Sequence, residues 1–258
     1  MATCSLEELR EMIGDRPRHD LPLAEQNILY DRLHQTSGKL KLPVIVPTLR
    51  VTVTDKKTNQ VVYDSGERPS YSTTRNWWNW MTSRWNKFTG SATTWGDGYL
   101  SIKKQTGETK YMSNSFTYYN RDGKMYGYGA GNGSVSNGII IGRSSQAEAF
   151  SDYIIVSMVG AGSGSGQLAY GSCTPSNEFT DATIPIRKAK YDRAFSNLSA
   201  SAVHVREAAL YARYTNNVKI RYTGICMIRD KFSTVVSVGV SQVLRLSYYF
   251  QMNYPSGV

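Results

Sequence analysis

Apolar positions from Leu42 onward recur at every second residue. Leu49, Val51 and Val53 alternate with Arg50, Thr52 and Thr54, and a turn over 55–60 leads to Val61-Val62-Tyr63. The clearest alternation closes the chain, with Leu244, Leu246, Tyr248, Phe250 and Met252 expected inward against Arg245, Ser247, Tyr249 and Gln251. Side chains two apart share one face of a strand, so each run predicts a half-buried strand. Further strands are expected at Tyr99–Lys103, Phe116–Tyr119, Gly138–Gly142, Tyr153–Val159, Gln167–Tyr170, Ile184–Tyr191, Ala202–Tyr214, Val218–Arg229 and Val236–Val240. Arg121-Asp122-Gly123-Lys124 reads as a hairpin turn, 127–138 as loop, and Gly160–Gly166 as the most flexible stretch. About a dozen short strands with few helices predict an all-β fold, an antiparallel sandwich of jelly-roll type over residues 43–258.

Two stretches keep a helical period instead. In residues 1–42, Ser5 and Glu8 form a capping box ahead of Leu6, Leu9, Met12 and Ile13, and a second short helix is expected from Leu23 to His34 around Leu29, Tyr30 and Leu33. Helices this short are not stable alone, so the segment reads as an arm that docks on the main domain or on another copy. The second stretch, at about 74–88, holds four of the five tryptophans. Trp77, Met81, Trp85 and Phe88 form one apolar stripe with Trp78 beside it, Thr73 or Thr74 is the expected N-cap, and Gly90 the terminator. The pattern predicts a packing helix that closes one edge or end of the sandwich. Trp80, off the stripe, is the member expected to meet a ligand or a neighbour.

Charge adds one candidate surface. The net charge is +10, and between residues 186 and 231 ten Lys/Arg stand against three Asp/Glu. Arg187, Lys188, Lys190, Arg193, Arg206, Arg213, Lys219 and Arg221 make a candidate basic face, open to nucleic acid or an acidic partner. These charges alternate with apolar residues, as they do on the solvated side of a sheet, and that reading is preferred. Cys4, Cys173 and Cys226 are widely spaced and outside any CxxC pair, which suggests neither a zinc site nor a disulfide framework and fits reduced assembly inside a cell. No apolar run reaches membrane-spanning length, so a soluble chain with no membrane partner is expected.

Chemistry is sparse. His19, His34 and His204 have no second ligand at metal spacing. The glycines at 160–166 lack the Gly-Lys-Ser/Thr ending of a phosphate loop, and no G-x-S-x-G elbow occurs. Among Asp97, Glu148, Asp152, Glu178, Asp181 and Glu207 no glycosidase-like pair stands out. Glu207, set in an apolar strand, is best read as a carboxylate paired to an arginine of the next strand. No catalytic residue, cofactor or metal is expected.

Four stretches, in order, resemble a diffuse family of virion structural proteins of tailed bacteriophages. They are Leu49–Val53 with Val61–Tyr63 and Thr74–Trp77; Asn137–Gly142 with Asp152-Tyr153; Gln167–Gly171; and Tyr191–Ser199 with Val205–Tyr211. The last is similar to an aromatic-x-Asn … V-x-E-x-G-L-Y strand pair, with Ala209 in place of its glycine. The resemblance implies a non-enzymatic building block of a virus particle, capsid- or tail-associated, whose partners are its own copies and other virion proteins. Two alternatives stand beside it. One is a glycan- or host-surface-binding module using Trp80, Trp95 and the tyrosine-rich loops; the other is a basic nucleic-acid-binding β protein.

Overall fold

The computed structural model describes residues 28, 44–70, 72–85, 101–111, 127–180, 186–215 and 221–253. In chain order the elements are β1 Val44–Asp55, β2 Val61–Pro69, α1 Arg75–Trp85, β3 Ser101–Lys103, β4 Thr109–Tyr111, β5 Gly138–Gly142, β6 Ala169–Thr180, β7 Ile186–Ser196, β8 Val203–Thr215, β9 Arg221–Val238 and β10 Gln242–Asn253. The class is all-β and antiparallel, as the alternation predicts. Of the expected arm only Ile28 is described, helical and exposed. Leu9, Ile13, Leu29 and Leu33 lie outside the described residues, as do Phe116–Tyr119, the Arg121–Lys124 turn, Phe88, Gly90, Trp95 and Lys219.

One sheet has the order β2-β1-β10-β7-β6, and another the order β5-β8-β9. Register sets the inner face of the first sheet. Val53 lies opposite Leu244 and Leu244 opposite Phe195, while Val51 lies opposite Leu246 and Leu246 opposite Arg193. All of these are buried, and the apolar ones belong to one core with the second sheet. The outer face carries Arg50–Asp64, Lys188–Glu67 and Arg245–Asp192 ion pairs.

The second sheet is a middle layer, covered on both sides. From one face, Asp230 accepts the Tyr248 hydroxyl of the first sheet at 2.7 Å and the Ser70 hydroxyl at 2.8 Å. From the other, Arg229 reaches the segment that follows β5. A strand buried on both faces reads as a continuous apolar run, and Ile139–Ile141, Ala208–Ala212 and Ile225–Ile228 are such runs.

Two expectations fail here. Tyr153–Val159 is not a strand. Ile155 and Val159 are buried while Val156 and Met158 are exposed, and the segment makes only one bridge, Met158 to Gly142. Its apolar residues plug the middle layer one at a time, and the Ile155 N–H donates to the Tyr211 hydroxyl at 2.7 Å. Gly160–Gly166, expected to be flexible, is a folded turn. Gln167 accepts the Gly164 N–H through its side chain at 3.0 Å, and Gly162 and Leu168 close it with backbone bonds.

Candidate functional site

The helix α1 is seated by polar groups. Thr74 occupies the expected cap position, with its carbonyl accepting the Trp78 N–H, but its hydroxyl donates to the Cys226 and Met227 carbonyls of β9. The Arg75 N–H, unpaired in any first helical turn, donates to the Phe150 carbonyl at 2.7 Å. Asn76 is buried and pairs with both the N–H and the carbonyl of Lys103 at 2.8 Å, and Asn79 donates to the Ser101 carbonyl. Asparagine on the docked face rotates the helix away from the predicted stripe. Trp77 stacks on Phe250 at 5.5 Å and meets Trp80 at a tilt with ring centroids 5.7 Å apart, and both tryptophans pack on the core. Trp78 is 49% exposed. The expected roles of Trp78 and Trp80 are therefore exchanged. Met81 is half-buried, and the Trp85 side chain lies outside the description.

Two buried arginines hold the layers. Arg193 donates to five carbonyls, those of Gly171, Asn137, Ile139, Gly131 and Ser134, at 2.8 to 3.3 Å. It is fully buried, so it is not part of a basic face. Parity explains this. Tyr191, Arg193 and Phe195 point into the core, while Lys188, Lys190 and Asp192 point out. Burial pushes the Arg193 guanidinium below its ordinary value, and the nearby Tyr170 and Cys173 act in the opposite sense.

Arg229 binds Glu207 at 2.8 Å and Asp152 at 2.7 Å, and also donates to the Ala147 and Gln146 carbonyls. Glu207 thus has the neighbouring-strand arginine that its sequence context demands. Burial raises its carboxyl above the usual range, and Arg229 pulls it back. A Cβ at Gly142 would overlap Glu207 and Ile155, so glycine is needed for the carboxylate to approach β5. Asn197 performs a similar task, with its side chain donating to Ser201 and Val238 and accepting from Ser199.

The remaining candidate basic residues do not form one face. Arg187, Lys188 and Lys190 lie on β7 of the five-stranded sheet, with Lys188 paired to Glu67 and Lys190 to Asp192. Arg206, Arg213 and Arg221 lie on the three-stranded sheet; Arg206 is exposed and Arg213 donates to the Gly129 carbonyl. His204 is exposed, and the Cys173 and Cys226 thiols are buried, with burial raising both above the ordinary thiol value. Among the described residues no cluster of three His, Cys, Asp or Glu side chains could hold a metal, and no helix is long and apolar enough to cross a membrane. Comparison of the chain with known protein families, curated proteins and solved structures gives no match.

Proposed function

We propose that this chain is a non-enzymatic structural component of a tailed-phage particle, working in several copies at the capsid or tail. The observation that supports the reading is where the resembling segments meet. Asn137, Asp152, Gly171, Arg193, Asn197, Glu207 and Tyr211 come from three of those segments; Asp152, Arg193, Asn197 and Tyr211 bond between layers, while Asn137, Gly171 and Glu207 bond within a loop or sheet beside them. Buried polar groups satisfied by the fold itself make a stiff block, which suits a subunit that must keep its shape in a lattice.

A second feature fits docking to other subunits. At one end, Lys56 donates to the Ser241 carbonyl and Asn197 to that of Gln242, tying three turns together. This end exposes Leu198 at 56% and Val240 at 52%, aliphatic groups that a protein contact would cover. The test is sedimentation of the full chain, with mass spectrometry of particles purified from the host that makes it. The expected result is an oligomer that co-purifies with particles and is weakened by Leu198→Asp with Val240→Asp. A monomer at high concentration that is missing from particles would overturn the reading.

A further inference from the structure

The exposed indole of Trp78 belongs to a surface built from three separate elements. Arg75, three residues earlier on α1, lies on the same side of the helix. The Arg75 guanidinium carbon sits 5.7 Å from the centroid of the Phe150 ring, and that ring is itself 52% exposed. Three residues beyond Phe150, the Tyr153 ring lies 3.9 Å from the Lys103 ammonium. Lys103 is joined to the helix through Asn76. The surface therefore holds two cations, two rings supporting them, and one half-exposed indole.

The two cations differ from those on the outer face of the five-stranded sheet. There, Arg50, Lys188, Lys190 and Arg245 each have a carboxylate within 4 Å. Arg75 and Lys103 form no ion pair with any described carboxylate; aromatic rings support them instead. A guanidinium laid on a ring keeps its N–H edges free and directed, ready to bind a carboxylate in a bidentate way. The platform is also stiff. The turn bearing Phe150 and Tyr153 is closed by the Asp152 N–H to the Ala149 carbonyl and by the Ala149 N–H to the Asp152 carboxylate. Asp152 in turn is anchored to buried Arg229. Pre-set groups lose little freedom on binding, which favours affinity.

The geometry points to a binding site for an acidic saccharide, its sugar ring laid on Trp78 and its carboxylate taken by Arg75 with Lys103 adjacent. A single half-exposed indole matches one sugar ring. Single-stranded nucleic acid, which needs successive stacking platforms along a charged groove, fits the surface less well. This assignment is independent of the assembly reading, since an oligomer could lack the site and a monomer could have it.

Titration of the full chain with sialyllactose and with trigalacturonic acid, followed by calorimetry and saturation-transfer NMR, tests it. Lactose and a single-stranded oligothymidylate serve as the neutral and nucleic-acid probes. At least one acidic sugar should bind, with lactose and the oligonucleotide weaker. Trp78→Ala and Arg75→Gln should each weaken binding by about tenfold. Lys103→Gln, which leaves the helix intact, should also weaken it and guards against a folding artefact. The assignment is overturned by failure of both acidic probes to bind, by equal binding of lactose, by tighter binding of the oligonucleotide, or by variants that bind like the parent.

Discussion

At the scale of single residues, the decisive contacts are charges inside the core. Replacing Arg229 with Met leaves Glu207 and Asp152 facing each other without a cation. Breaking such a buried pair costs about 3–5 kcal/mol, which chemical denaturation at neutral pH should register. The sign of its pH dependence follows from the carboxyl. A group with a raised folded-state pKa stabilises the fold below its unfolded value and loses that contribution as pH rises through the folded one. Without Arg229 the Glu207 carboxyl rises further, so the variant should regain stability as pH falls towards the ordinary carboxylate range. The parent protein, whose Glu207 is raised less because Arg229 pulls it back, should show a smaller recovery. Asp64 is the opposite case. The Arg50 hydrogen bond holds its carboxyl low, so its contribution is present above the ordinary carboxylate range and disappears on acidification. This exposed pair is worth less than about 1 kcal/mol, and Asp64→Asn should flatten only that small part of the acid limb of the stability curve. Glu207 was legible because an acid in an apolar strand requires a partner. Arg193 was legible in principle, since it shares the parity of Tyr191 and Phe195, but a count of charges by segment conceals parity.

At the scale of elements, α1 shows why an apolar stripe can mislead. The tryptophan-rich pattern located the helix, yet the face that docks includes Asn76. Two carbonyls and one N–H of neighbouring strands needed an amide, and hydrophobic periodicity gives asparagine no weight on a buried face. Asn76→Ala should cost about 1–3 kcal/mol by leaving those groups unpaired in the interior. Trp77→Ala should cost about 3 kcal/mol or more, because its ring is stacked against Phe250. Trp78→Ala should stay within about 0.5 kcal/mol. Thermal unfolding of the three variants side by side checks the order, and equal losses at Trp77 and Trp78 would contradict the docking described. The segment after β5 misled for a related reason. An apolar run predicts burial but does not say whether a strand partner exists, and Ile155 finds a tyrosine hydroxyl instead.

For the whole molecule, period-two alternation was enough for the all-β class and for the long outer strands β1 and β10. The three-stranded middle layer was less visible, since strands covered on both faces lose their alternation and resemble any apolar run. Long-range pins such as Asp230 to Tyr248 cannot be read from local pattern at all. The distribution of charge follows the layers. On the outer sheet Arg50, Lys188, Lys190 and Arg245 are paired with carboxylates, Arg193 is enclosed, and Arg75 on the helix and Lys103 beside it form no ion pair with a described carboxylate. A stiff block of this kind should unfold in one cooperative step, and the denaturation midpoints from tryptophan fluorescence and circular dichroism should coincide.

The Arg193 cluster also imposes an order of events during synthesis. The Gly131 carbonyl that it binds is made 62 residues before the arginine itself. At about 5–20 residues per second, the interval is roughly 3–12 s. Throughout it the Gly131, Ser134, Asn137 and Ile139 carbonyls have only water in place of the guanidinium. β5 therefore cannot take its final position while the chain is emerging up to β6. Ribosome-held chains ending before Arg193 should be cut readily by protease around residues 131–139, and chains extended past β7 should resist.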